Sequence, residues 1–389
     1  MRPRVSDPAL LFTVPFAVLL VVALLIFDRP CTEITLVSSN EKSDLLRDIA
    51  ADWNRSAVVD WRCAKVQVVV KPSGSAEAAL ARGWNAATDG SAPPDVWSPA
   101  ASSWNLLLRQ HLEDRGVDDM VPPVPPSIMQ SPLVFAMPEP LAQILVGVGD
   151  HPTWVTILGL AADPAGWSRY QRPDLGRFKL AKTDPMVSTS GLHVLIGTYV
   201  AATGRVPTEE DVAKPVVREY VRSIELAVAH RVETVASFLR DLKDADTRGE
   251  ALTYVSAIAM EEKQVWDYNR GVIVGDPRPD PEPKVPNVRL APIYPGPATL
   301  VADHPYVVLN ATWATDEKRR VADAFLRHLL SPSVQDRFER AAFRDHLGHA
   351  GRVITNAPGL SAAGSSARMG LPTARALERI QSAWDALRK

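Results

Sequence analysis

A chain of 389 residues is long enough for two packed bodies, since single hydrophobic cores seldom grow beyond about 250–300 residues. Its 46% hydrophobic and 23% charged residues match a folded globular protein and exclude a disordered one. With 43 basic against 45 acidic side chains there is no surplus of positive charge to neutralise phosphates, which sets nucleic acid aside as a partner.

The chain opens with Arg2 and Arg4 ahead of an uncharged apolar run, residues 9–27, closed by Asp28 and Arg29. That run just spans a hydrocarbon core, and arginines on the short flank predict a cytoplasmic stub and signal anchor over residues 1–30, with everything after Asp28 outside the cell membrane. No Ala-x-Ala site follows, and Cys31 lacks the small residue that precedes a lipidated cysteine. An uncleaved single-pass transmembrane helix is therefore favoured over a cleaved signal peptide or a lipid anchor.

Residues 33–37 alternate as a strand and run into Ser38-Ser39-Asn40, after which Leu45, Leu46, Ile49, Ala50 and Trp53 recur at helical spacing. The pattern repeats when residues 66–70 lead into Pro72-Ser73-Gly74-Ser75 and a helix carrying Ala76, Ala79 and Leu80. It repeats again when residues 95–97 lead into Ser98 and a helix through Leu106 and Leu108. Strand, serine turn and helix in succession predict a parallel βαβ sheet, in which the ligand crevice lies outside the carboxyl ends of the strands. Cys31 and Cys63 each stand just before one of these strands. If the strands are parallel neighbours, a Cys31–Cys63 disulfide is geometrically reasonable, with two free thiols as the alternative.

The proline-rich stretch 122–126 marks a joint. Beyond it, residues 132–137 read as a strand, 154–160 as a helix and 178–181 as a strand running into Ser188-Thr189-Ser190-Gly191. A helix over 192–202 follows, whose unpaired N–H groups suit a polar oxygen or an anion. Residues 216–230 and 232–242 are predicted helices, 251–260 a strand or helix leading to Glu261-Glu262-Lys263, and 276–286 a polar loop. Strands over 288–294 and 305–309 precede helices over 316–330 and 333–342. After a flexible small-residue stretch, 357–370, a last helix begins near Pro372 and carries Leu377, Ile380, Trp384 and Leu387 as one apolar stripe.

The turn Ser38-Ser39-Asn40, the segment 183–192, Glu262-Lys263 with Trp266, Tyr268 and Asn269, and the run from Ile293-Tyr294-Pro295 through Asp303-His304-Pro305 to Leu309 resemble a known family. It is that of bacterial extracellular solute-binding proteins with the type II periplasmic fold, near the molybdate- and sulfate-binding group. The resemblance implies an α/β protein of two lobes. Residues 31–131 with 291–352 would form lobe 1, residues 132–290 lobe 2, and 353–389 a flexible segment and amphipathic helix. The ending 384–389 resembles the helix that leads into a von Willebrand factor A domain in some actinobacterial relatives, but that domain's Asp-x-Ser-x-Ser site is absent. The stripe is thus expected either to pack on the binding lobe or, the sharper expectation, to dock on a separate protein.

A carrier that must release its cargo holds it by many neutral hydrogen bonds. The expected contacts are Ser39, Ser73, Ser75 and Ser98 from lobe 1, and Ser188, Thr189 and Ser190 from lobe 2, with Glu262 and Tyr268 as further candidates. For each serine the alternative is helix N-capping, and for Glu262 it is pairing with Lys263 or Lys42. Trp97 and Trp104 read as core. No nucleophile elbow, phosphate loop or His-Glu-x-x-His pair occurs. Neither catalysis, cofactor nor metal is expected, and the reading is capture of a small polar solute for an ABC-type permease. The alternative is a membrane-tethered sensor or adhesion protein built on the same fold.

Overall fold

The computed structural model describes residues 30–147, 152–276, 282–363 and 367–388. The predicted anchor, residues 9–27, lies outside them, and no helix among the described residues is long and apolar enough to cross a membrane. The strands are, in chain order, β1 (Thr32–Ser38), β2 (Val58–Val59), β3 (Arg62–Val70), β4 (Val96–Ser98), β5 (Ser131–Pro138), β6 (Leu180–Thr183), β7 (Val228–Val232), β8 (Ala257–Glu261), β9 (Leu290–Ile293), β10 (Val301–Ala302) and β11 (Val307–Val308).

The first sheet has the order β11-β4-β1-β3-β2, with β1 parallel to both β3 and β4 as the repeated strand-turn-helix pattern predicts. Because side chains alternate across a strand, Ile34, Leu36, Val66 and Val96 face one layer of helices, and Val37 and Trp97 the other. The first layer is built from Leu46 and Ile49 of helix Ser43–Asn54, Val321, Phe325 and Leu329 of Asp316–Leu329, and Phe338 of Pro332–Arg340. The second includes Ala76, Leu80, Trp104, Leu107 and Leu108, so Trp97 and Trp104 are core, each 1% exposed.

The β1–β3 register pairs Thr32 with Ala64, which sets Cys31 beside Cys63, and the two form a disulfide with Cα atoms 4.6 Å apart. It closes a loop of sequence separation 32, for which chain entropy gives about 3–4 kcal/mol. The double replacement of Cys31 and Cys63 by serine is expected to lower unfolding free energy by that amount in urea titrations.

The second sheet has the order β10-β5-β8-β6-β7, and β9 also pairs with β5. Every residue of β5 is buried, as suits a central strand. Two expectations are corrected here. The predicted helices 216–230 and 232–242 are separated by β7, which pairs parallel with β6. The β-branched Val228 and Val232 favour the pleat, His230 stacks on Tyr254, and Thr234 restarts the helix by accepting from the Ser237 N–H at 3.2 Å. The return to lobe 1, expected near residue 291, falls later, because β9 and β10 both bond to β5. Residues 251–260 divide into a short helix, Ala251–Tyr254, and β8.

The chain thus crosses between the sheets along two segments that pair antiparallel. Ile128 N–H donates to His304 O at 3.2 Å, Tyr306 N–H to Pro126 O at 2.8 Å, and Ala302 faces Ser131. Just beyond this pair, Gln130 and Arg344 exchange backbone bonds of 3.1 and 2.9 Å.

The last helix, Ala374–Ala386, is capped by Thr373, whose hydroxyl accepts from the Ala376 N–H at 3.2 Å. Ile380 and Trp384 pack with Leu195, Tyr199, Val212, Val217 and Val221 of the second lobe, while the helix also lies along Ser102–Glu113 of the first. Gln381 donates to Pro185 O and Trp384 Nε1 to Glu225 Oε2, both at 3.0 Å. The stripe thus packs on this chain's own lobes, the first of the two expectations, and not on a separate protein, with only Leu387 of it substantially exposed.

Candidate functional site: the cleft between the lobes

The carboxyl ends of β1, β3 and β8 and the start of the segment after β6 run into turns that open helices, and those turns meet at one cavity of about 40 Å³. At roughly 10–15 Å³ per water, the cavity holds a few water-sized groups. From the first lobe come Ser39, Asn40, Glu41 and Ser73, and from the second Ser188, Thr189, Ser190, Thr234, Glu261 and Gln264. The first turns of helices Ser73–Arg82, Thr189–Thr203, Val235–Thr247 and Glu262–Asn269 all border it.

Five of the expected contacts, Ser39, Ser73, Ser188, Thr189 and Ser190, line this cavity. The capping alternative does not describe Ser39 or Ser188, since neither side chain caps its helix. Instead the hydroxyls bond to each other and across the lobes. Ser73 Oγ accepts from Ala100 N–H at 3.0 Å and from Thr189 Oγ1 at 3.4 Å, and Thr189 Oγ1 accepts from Trp104 Nε1 at 2.8 Å. Ser190 Oγ lies 3.1 Å from Ser188 Oγ and 3.2 Å from Thr183 Oγ1. Gly74 N–H donates to Val187 O at 3.0 Å, an approach so close that a Cβ on Gly74 would run into the Met186 carbonyl.

The remaining expected contacts lie off the cavity. Ser98 supports it from behind, its carbonyl accepting from the Ser39 N–H at 3.1 Å, while its hydroxyl is buried without a hydrogen-bond partner. Ser75 is half-buried, two residues past Ser73 and off the lining. Tyr268 sits in the second lobe's core with Leu290 and Val265. Glu262 is fully buried and held by Arg344, whose Nε and Nη2 donate to its two oxygens at 2.7 and 3.0 Å, with the Tyr294 hydroxyl adding a bond of 2.6 Å. Glu262 and Tyr268 are thus corrected from ligand contacts to internal structure.

Sequence reasoning missed an ionisable cluster at the back of the cleft. Lys42, only 1% exposed, donates to Ser39 Oγ and to Pro99 O at 3.2 Å, and its Nζ lies 3.3 Å from His304 Nδ1 and 3.5 Å from Glu41 Oε1. Glu261 Oε2 approaches His304 Nε2 at 3.3 Å from the other lobe. Burial and Lys42 push the His304 imidazole down to about 3, so it is neutral at physiological pH. Burial and the neighbouring Glu41 push the Glu261 carboxyl well above its usual range. Burial also raises Glu41, but Lys42 and His304 outweigh it and leave that carboxyl lowered. Glu41, Glu261 and His304 are close enough to suggest a metal, yet the Lys42 ammonium already supplies a cation at two of the three. Only Asn40 and Thr234, each in a turn opening a helix, carried a local signal that could have been read.

The sequence model of the family described as bacterial extracellular solute-binding protein matches residues 34–344. An uncharacterized protein of Mycobacterium tuberculosis is 26% identical over 317 residues, which cover 80% of this chain but 42% of that protein. The chain therefore spans less than half the length of that relative. Among solved structures, a periplasmic thiamin binding protein superposes with a TM-score of 0.58 at 10% identity, over 92% of this chain and 97% of that one. The ferric binding protein from Campylobacter jejuni does so with a TM-score of 0.57 at 12% identity, over 91% of this chain and 98% of that one. At these identities the likeness is one of fold, and the solutes in those names stay with those proteins. Two sheets, the antiparallel crossing and the cleft between them all fall inside the matched span, and the chain belongs to the bacterial extracellular solute-binding proteins of the type II periplasmic fold.

Proposed function

We propose that this protein captures a small polar solute outside the cytoplasm by closing its two lobes around it, and delivers it to an ABC-type permease without catalysing a reaction. The observation that carries this reading is the meeting of Ser39 and Ser73 from one lobe with Ser188, Thr189 and Ser190 from the other at a single cavity. Residues 9–27 would tether it to the membrane. Hydroxyls and helix first turns bind without a covalent step and release when the lobes part, as delivery requires. The lobes also bond directly, through Gly74 with Val187 and Trp104 with Thr189, and the last helix touches both. Direct contacts of this kind between the lobes favour a second reading, a tethered sensor using the same cleft.

Ser188→Trp would fill the cavity while leaving the sheets untouched. It is expected to abolish solute-dependent compaction in small-angle scattering, and solute-dependent stabilisation in a thermal-shift screen, with an unchanged circular dichroism spectrum. A variant that still compacts and binds like the wild type would end the cleft assignment.

A further inference from the structure

We propose that the β2–β3 hairpin sits against the outer face of the lipid bilayer with the Trp61 indole among the headgroups, a second point of attachment beside the chain's apolar run. This goes beyond solute capture and rests on the reading that residues 9–27 cross the membrane.

Val59 pairs with Arg62, which leaves Asp60-Trp61 as a two-residue hairpin loop. Both residues lie in the left-handed region, with φ of 49° and 63°. Such loops ordinarily read Asn-Gly or Asp-Gly, because the second place favours a residue without a Cβ. Asp60 follows that rule, and Trp61 stands where the glycine belongs. Packing within the chain does not offset the strain, since the indole is 92% exposed and the nearby Val58 65% exposed. A bulky side chain kept in a strained place, with so little of it covered, points to a contact outside the chain.

The turn is also braced. Asp60 pairs with Arg320, and Arg62 with Glu317 at 3.1 Å, both partners belonging to the helix Asp316–Leu329. The tip is held in place and its carboxylate has a counter-ion, while the indole is left exposed.

The position of the hairpin selects the surface it meets. Cys31 is bonded to Cys63, two residues after Trp61, with Cα atoms 4.6 Å apart. The apolar run ends at Phe27, four positions before Cys31, a reach of at most about 14 Å. Trp61 is therefore tied close to the point where the chain would leave the bilayer. An indole favours the headgroup level, with its ring among apolar groups and its N–H toward water. The hairpin stands at the amino ends of β1 and β3, whose carboxyl ends lead into the cleft. With about 3.3 Å for each of the 7 residues of β1, the cleft would be held roughly 20 Å from the headgroups.

The test uses the full chain in vesicles of phosphatidylcholine and phosphatidylglycerol, with and without bromine on the upper acyl carbons. Residues 1–29 hold no tryptophan, so quenching of indole emission by bromine reports on the folded body. Trp61 is one of 10 tryptophans, and bromine is expected to remove about a tenth of the emission from the wild type and none from Trp61→Gly. Because glycine suits the turn, Trp61→Gly is expected to melt no lower than the wild type. Equal quenching of two proteins that both stay with the vesicles in alkaline carbonate would overturn the docking and leave the anchor standing. A chain that carbonate strips off would overturn the anchor and the docking together, with solute capture untouched. A lower melting temperature for Trp61→Gly would give the indole a structural task inside the chain and end the proposal. So would a crosslinked dimer in detergent that Trp61→Gly loses, since a second copy would then cover this face.

Discussion

Trp384→Ala is expected to cost about 3–5 kcal/mol of stability, the range for removing a buried tryptophan. The side chain is 3% exposed and packs with Tyr199, Val212, Val217 and Val221. Its Nε1 also donates to Glu225, whose carboxylate receives Lys182 and Arg231 within the second lobe. Removing the indole opens a cavity and takes one donor from a nearly buried carboxylate, and the two losses act in the same direction. Urea denaturation of the variant checks the size. A change under about 1 kcal/mol, typical of surface sites, would mean the helix does not rest on this face in solution.

Arg344→Ala is expected to lower stability by about 3–5 kcal/mol, because it strands Glu262 fully buried without its cation. The guanidinium grips both carboxylate oxygens and also donates to Ser361 O at 2.8 Å and Ala362 O at 3.0 Å, so it ties the hinge region to the segment that follows it. The double variant Arg344→Met with Glu262→Leu should recover most of the loss, since apolar groups of similar volume often replace a buried pair at little cost. Equal instability of the single and double variants in denaturant titrations would show that the guanidinium's bonds to the backbone, and not the stranded charge, dominate.

The serine turns were legible because strand, turn and helix are neighbours in sequence, and a parallel sheet brings the carboxyl ends of its strands together whatever else the chain does. Cys31 and Cys63 were legible for the same reason, Cys31 just before β1 and Cys63 near the start of β3, set side by side by the parallel register. Glu262 was misread because its partner, Arg344, is 82 positions away and nothing in the local pattern announces it. His304 reaches the cleft only because the chain recrosses at residues 303–306, a place set by β9 and β10 pairing with β5. The stripe on the last helix was plain in the spacing of Leu377, Ile380 and Trp384, but a stripe specifies that it will be covered and not by what. β7 was hidden because a five-residue edge strand between helices leaves the helical period almost unbroken.

The last helix alters the mechanics of the whole molecule. Two crossing segments that pair side by side leave the lobes one easy freedom, rotation about the line of the pair. Beyond Arg344 the chain crosses once more, residues 367–369 bonding to Thr299, and the helix that follows adds a connection set off that line, so a rotation that parts the lobes must shear one of its two faces. Both faces are apolar. Toward the second lobe it sinks Ile380 and Trp384 among apolar side chains, and toward the first the fully buried Leu377 joins the cluster of Trp104, Leu107 and Leu108, beside the solvent-facing pair Arg375 with Asp114 at 3.6 Å, itself worth at most about 1 kcal/mol. Parting the lobes therefore uncovers apolar surface on one face or the other, and the helix acts as a returning spring. How tightly solute is held then depends on the stiffness of that spring as well as on the groups that touch it, because apparent affinity scales with the fraction of molecules already in the competent form.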